Sequence, residues 1–143
     1  MRALFDVNVL LALFDSQHTH HGRASTWWLA NSAVGWASCP HTQNGFVRVI
    51  SRPAYQRPVA ISEALAALCA QTQRPDHEFW PDDISMLDAG IFDQSRILGP
   101  SQITDVYLLG LAVKNGGRLV TFDRGVPVRA VKGAEPRNLV ILG

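Results

Sequence analysis

Short apolar runs alternate with longer amphipathic stretches along the 143 residues. Ala3–Phe5 is continuously apolar and ends at Asp6, the pattern of a buried strand. Val7–Phe14 follows as a short helix packed on it. The polar stretch DSQHTHHG, residues 15–22, is a break. Arg23–Ala30, with Trp27 and Trp28, reads as a helix, and VGWASCP, 34–40, as a short strand stopped by Pro40. Beyond Pro40, Thr42 is a candidate N-cap. Gln43, Val47 and Ile50 then share one helical face, Arg48 points elsewhere, and Pro53 closes the helix. Ser62 caps a further helix whose inner stripe is Leu65, Leu68 and Cys69. Residues 74–83 form a loop around a short edge strand at His77–Trp80, and Asp88–Arg96 reads as a helix broken by Gly99-Pro100. Ser101 caps the clearest helix, which runs to Asn115 and stops at Gly116-Gly117. Arg118–Phe122 and Leu139–Leu142 are the last two strands. Strands alternating with helices predict an α/β fold with a mostly parallel sheet covered on both faces. The absence of repeats, low-complexity tracts and interior linkers predicts one domain spanning residues 1–143.

Composition narrows the function classes. Formal net charge is +1, so no global field draws the chain onto nucleic acid, and an RNA partner would have to be held by local features. Of the 13 basic residues only Lys114 and Lys132 are lysine. Arginine forks suit phosphate, although a compositional bias of the source is the readier explanation of the excess. Cys39 and Cys69 form neither a C-x-x-C pair nor a disulfide framework, which fits a reducing cytoplasm. Asp6 and Asn8 interrupt the apolar start, which therefore differs from a signal peptide, and no apolar run is long enough to span a bilayer.

The chemistry lies in three acids. Open α/β sheets bind ligands beyond the carboxyl ends of their strands. Asp6 ends the first strand and Asp123 follows the strand 118–122. Asp105 sits in the first turn of its helix, on the stripe continued by Leu108, Leu109 and Ala112. Each has a simpler reading: Asp6 as a helix cap, Asp105 as a helix-dipole acid, Asp123 as a turn residue. Together, three carboxylates at one sheet edge with no obvious basic partner call for a hard cation such as Mg²⁺ or Mn²⁺. Such a cation beside a phosphodiester polarises the phosphoryl oxygen and activates water.

The segments ALFDVNVLLALF, CPHTQNGFVRVISRP, ITDVYLLGLA and LVTFDRG, in that order, resemble the successive motifs of PIN-domain ribonucleases, most closely the VapC-type toxins of bacterial toxin–antitoxin pairs. The resemblance spans nearly the whole chain. It implies a three-layer α/β/α fold and Mg²⁺- or Mn²⁺-dependent cleavage of a tRNA or rRNA that leaves 5′-phosphate and 3′-hydroxyl ends. It also implies a homodimer and a cognate VapB-like antitoxin. The family's metal acids map onto Asp6, Asp105 and Asp123, its polar residue after the first acid onto Asn8, and its small hydroxyl residue before the helix acid onto Thr104. One position departs. Where the family commonly carries glutamate, this chain has Gln43, which leaves one carboxylate fewer. The expectation is one tightly held cation with Gln43 bonding its water, and the rival is a nuclease weakened or retained only for binding RNA or antitoxin. Asp88 and Asp93 are the nearest other acids.

Remaining features carry two readings each. Arg48, Arg52 and Arg124 either grip RNA phosphates or are solvated. His18, His20 and His21 lack zinc-like partners and are expected on a surface loop. Trp27 and Trp28 divide between core and interface, with an antitoxin groove or dimer contact as the expectation, and Trp36 and Trp80 belong to the core. A receiver domain would need an acid pair after the first strand. An aspartyl phosphatase would need an acid at position 8, which is Asn.

Overall fold

The structure is a computed structural model describing residues 1–143. Five strands form one sheet in the order β3-β2-β1-β4-β5, namely β1 (Ala3–Phe5), β2 (Trp36–Ser38), β3 (His77–Phe79), β4 (Arg118–Thr121) and β5 (Leu139–Ile141). Every pairing is parallel. Parallel neighbours cannot be joined by a tight turn, so each connection crosses a sheet face. The crossing elements include α1 (Val7–Phe14), α2 (His21–Asn31), α3 (Pro40–Ile50), α4 (Ile61–Thr72) and α5 (Ile103–Lys114). No helix is long and apolar enough to cross a membrane.

Side-chain alternation along each strand feeds two separate cores. Phe5 joins Val9, Leu10, Phe46 and Leu68 on one face, while its neighbour Leu4 joins Trp80, Leu108, Leu109 and Leu119 on the other. This is the expected three-layer α/β/α arrangement, with the sheet wholly parallel. Two glycines permit close packing within the outer layers. A Cβ on Gly45 of α3 would come 2.6 Å from a methyl of Val7, and one on Gly110 of α5 would come 2.6 Å from the Phe92 ring.

From β1 the chain proceeds outward to β2 and β3, and then returns to lay β4 and β5 on the opposite side. The β1/β4 seam is therefore the point where the strand order reverses, the place where such sheets bind ligands. Register pairs Phe5 with Val120, and the Asp6 N–H donates to the Val120 carbonyl at 3.0 Å. Asp6 and Thr121 are thus held side by side at the carboxyl ends of the two central strands.

Several expected boundaries move. Asp88–Arg96 is not a helix. Asp88 Oδ1 accepts from Gly90 N, Phe92 bridges antiparallel to Val131, and Asp93 caps a single 3₁₀ turn at Gln94–Arg96. These local side-chain bonds compete with helical pairing. Pro40, rather than stopping β2 short of a helix, occupies the first turn of α3, where its missing N–H costs nothing. Thr42 is three residues past the Cys39 cap, and its hydroxyl accepts from the Cys39 N–H. Ser62 is likewise inside α4, which buries Ala64 and Leu68 but leaves Leu65 54% exposed and Cys69 exposed. Ser101 belongs to a 3₁₀ turn that leads into α5. Trp36 and Trp80 are buried as expected. Trp27 and Trp28 turn inward, edge-on to Phe5 at 6.3 and 5.3 Å.

Asp15, at the end of α1, anchors the loop after α3. It accepts from Arg57 Nη2 at 2.7 Å and from the Tyr55 hydroxyl at 2.7 Å. The Arg57 guanidinium holds the Asp15 carboxyl well below the usual carboxylate range. A depressed carboxylate contributes stability above its unfolded value that is lost as pH falls. Asp15→Asn is therefore expected to lower unfolding free energy by about 1–2 kcal/mol at pH 7 in a urea titration. The gap to the wild type should close below about pH 4.

Candidate metal centre at the sheet switch point

Three elements bring the predicted acids together. Asp6 leaves β1 with extended backbone (φ −62°, ψ 158°) and caps α1, its Oδ1 accepting from the Val7 N–H at 2.7 Å. Its other oxygen, Oδ2, accepts from the Thr121 hydroxyl at 2.7 Å. The cap and the site are thus the same residue, and the simpler reading of Asp6 was compatible with the chemical one. Asp105 stands in the first turn of α5, ahead of buried Leu108, Leu109 and Ala112. Asp123 follows β4 in a turn closed by the Gly125 N–H on its Oδ1 at 3.0 Å. Asp105 and Asp123 lie within hydrogen-bonding reach of one another, and both Asp6 and Asp123 repel the charge on Asp105.

The electrostatics follow from burial. Asp6 is 7% exposed and Asp105 8%. No ion pair in the structure includes Asp6, Asp105 or Asp123. Burial raises the Asp6 carboxyl, the Thr121 and Val7 hydrogen bonds oppose it, and Asp123 adds to the rise. Asp105 is pushed up to about 7, first by loss of hydration, then by its bond to Asp123 and by the charges of Asp6 and Asp123. Asp123, less enclosed, is lowered by the Gly125 N–H and by Asp105. One proton shared between Asp105 and Asp123 relieves the repulsion near neutral pH.

The structure has no group of three or more His, Cys, Asp or Glu side chains already arranged as a metal chelate. It has a proton-sharing acid pair with a third carboxylate at repulsive range. These hard oxygens, short of positive charge, fit a hard divalent cation taking the place of the shared proton.

The other predicted residues fall at varying distances from this centre. Asn8 is joined to it: its Nδ2 donates to Thr121 Oγ1 and its Oδ1 accepts from the Phe122 N–H, both at 3.4 Å. Thr104 is exposed in the same turn as Asp105. Gln43 is not bonded to the acids; its Nε2 donates to Ser38 Oγ at 2.9 Å, and Ser38 Oγ is 2.8 Å from His77 Nε2. Arg48 is exposed, and with Gln43 and Val47 it lines a groove of about 660 Å³ between α3 and α4, so it shares their side of the helix. Arg52 lies beyond the end of α3, and Arg124 is exposed next to Asp123. Asp88 and Asp93 sit in the 88–96 loop and take no part.

Two contributors escaped sequence reasoning. Thr121 is fully buried, and its hydroxyl also accepts from the Asp123 N–H at 3.0 Å, so one side chain joins two of the three acids and Asn8. Its signal was available: a polar residue two positions before Asp123, inside an apolar strand. His41, exposed in the first turn of α3, favours the ionised form of Asp6 electrostatically, and nothing in its sequence position signals this.

Comparison with known proteins gives the family of the chain. The PIN domain pattern matches residues 3–132. Ribonuclease VapC44 of Mycobacterium tuberculosis (strain ATCC 25618 / H37Rv) is 50% identical over 142 residues, covering 99% of this chain and 100% of its own length. Ribonuclease VapC38 of the same strain is 45% identical over 125 residues, covering 87% of this chain and 86% of its own. The crystal structure of M. tuberculosis VapC20, a sarcin–ricin loop cleaving toxin, matches with a TM-score of 0.53 at 14% identity, over 81% of this chain and 85% of that one. This last likeness is one of fold.

A carboxyl raised by the fold stabilises only its protonated form. The Asp105 contribution therefore falls as pH rises from about 4, its unfolded value, to about 7, and is level above that. In EDTA, Asp105→Asn is expected to flatten this part of the pH–stability profile and to raise the melting temperature at pH 8 by roughly 2–5 °C. Identical wild-type and variant profiles between pH 4 and 7 would remove Asp105 from the cluster.

Proposed function

Because the chain belongs to the PIN-domain family as a VapC-type ribonuclease, we propose that it is an Mg²⁺- or Mn²⁺-dependent endoribonuclease toxin. In this reading it cuts structured tRNA or rRNA at the Asp6–Asp105–Asp123 cluster. It acts in the cytoplasm as a homodimer and is silenced by a VapB-like antitoxin. VapC-type PIN ribonucleases are in general dependent on divalent metals. The observation that carries the assignment is the approach of two buried carboxylates, Asp6 and Asp105, and the exposed Asp123 at the strand switch point, with none of them in an ion pair.

A bound cation would supply Lewis-acid polarisation of the phosphate and a water of lowered pKa. The chain's own residues do the rest. Asp6, fixed by the Val7 N–H and the Thr121 hydroxyl, offers the best-oriented oxygen. Asp105 is the second direct ligand, and Asp123, more exposed, ligates weakly or through water. Thr121 holds the Asp6 carboxylate and the Asp123 N–H, Asn8 holds Thr121 and the Phe122 N–H, and Thr104 lies beside Asp105. Overall, water adds to phosphorus as the P–O3′ bond breaks, and the leaving 3′-oxygen takes a proton. Arg48, Arg52 and Arg124 are exposed and in no ion pair, which suits them to contact RNA phosphates.

The second reading is a PIN fold whose nuclease activity is weak or lost and which serves to bind RNA or antitoxin. The observation favouring it is Gln43, which brings no charge and spends its amide on Ser38. RNA cleavage with Mg²⁺ that stops in EDTA supports the first reading; none in either condition supports the second. Asp6→Asn is expected to lower the cleavage rate by roughly 10²-fold or more. Undiminished cleavage by that variant refutes the assigned centre. Gln43→Glu is expected to tighten cation binding in a calorimetric titration, and an unchanged affinity places Gln43 outside the metal's reach.

A further inference from the structure

The three histidines of the loop between α1 and α2 do different things. His21 is structural: its Nδ1 is 2.7 Å from the Ala12 carbonyl and its Nε2 3.3 Å from Ser25 Oγ, which pins the loop to α1. His18 is a prop, its Nδ1 accepting from the His20 N–H at 3.0 Å. His20 is exposed, and no hydrogen bond engages its ring. That ring stacks on Phe122, with centroids 4.8 Å apart and planes 28° from parallel.

Phe122 is the residue between Thr121 and Asp123, so this stack stands at the same carboxyl edge of β4 as the acids, with the Phe122 ring on the sheet face opposite the Thr121 hydroxyl. Its position is fixed from three directions. The Phe122 ring packs on the core, its N–H donates to Asn8, and the His20 loop is held by His18 and His21. A flat aromatic face exposed at the strand-end edge that carries the proposed cutting centre has one obvious complement in RNA. Every nucleobase presents a π-face, and unpaired bases are recognised by stacking on phenylalanine, tyrosine, tryptophan or histidine. A paired base is already stacked in its helix and cannot reach such a surface.

We propose that His20, seated on Phe122, is the platform for one unpaired RNA base beside the phosphate that is cut. The proposal rests on the ribonuclease reading for its substrate. The rival is a lid that only shields Phe122. A lid would make its contribution to stability alone, whereas a platform discriminates between RNA that has a base at one position and RNA that does not.

The experiment uses single-stranded oligoribonucleotides carrying 2-aminopurine, or an abasic residue, scanned through each position, with the full chain in EDTA so that binding is read without cleavage. Wild-type protein is expected to quench 2-aminopurine at one position. His20→Ala should lose that quench and weaken binding roughly 5- to 150-fold, the worth of one base stack, with its melting temperature unchanged. His20→Trp should restore both. With the abasic residue at that position, wild type and His20→Ala should bind alike. With Mg²⁺ present, the loss should appear in KM more than in kcat. Equal affinity of wild type and His20→Ala for every oligonucleotide overturns the platform, as does a loss that persists at every abasic position. If quenching behaves as expected but no condition yields cleavage, the platform stands and the nuclease reading fails.

Discussion

Burying like charges together is the constraint on which this molecule turns, and the Thr121 hydroxyl is the group that makes it structurally tolerable. That hydroxyl donates to Asp6 and accepts from the Asp123 N–H and the Asn8 amide. It is fully buried, and its bond to Asp6 is made where water does not compete. The β1/β4 register puts Thr121 level with Asp6, and a slip of one residue would turn the hydroxyl to the opposite face. The long-range pairing of the two central strands and the assembly of the acid cluster are therefore the same event.

Two effects compete at Asp105, and their sizes decide its state. The first turn of α5 offers free N–H groups and the positive end of a helix dipole, which favour a carboxylate by about 0.3–1 kcal/mol. Lost hydration and the charges of Asp6 and Asp123 oppose this, and they push Asp105 up to about 7. Lost hydration, with repulsion added, wins, and the protonated form of Asp105 is favoured. An apolar or amide side chain at position 105 would make the resting protein more stable. A protein that keeps an acid there gives up stability, the usual conflict between a strained centre and its scaffold, and a cation at the proposed centre would offset that loss.

The sequence made the fold legible wherever a pattern had one physical meaning. Ala3–Phe5, the α5 stripe and the strand before Asp123 each carry a period and a stop, and all were found. The sequence was ambiguous where local polar bonds compete with helical pairing. Residues 88–96 contain two aspartates that close turns on Gly90 and Ser95, and a helical spacing of apolar residues does not reveal that. On α4, Leu65 and Leu68 have the same chemistry, yet only Leu68 meets the core; the choice is made by how α4 lies on α3. At the site, the three acids were legible as strand-end and helix-start residues. Thr121 was legible in retrospect as a polar residue inside an apolar strand. His41 was not, because its influence on Asp6 acts through space. Gln43 was placed on the right helix, but its partner is Ser38, a contact that depends on the end of β2.

The acid cluster also poses a problem for its own substrate. RNA is a polyanion, net charge on the chain is only +1, and the edge that carries the acids is locally negative. Arginines around the site can attract phosphates, but that attraction falls with salt, and near the acids part of it is spent against them. An aromatic face has neither weakness. Stacking is insensitive to the sign of nearby charge and varies little with ionic strength, so a platform on Phe122 could hold a base close to carboxylates that repel its phosphate. Phe122 is set between the residue that orders the acids and the acid that closes the site, so the same short segment that creates the repulsion carries the contact able to overcome it.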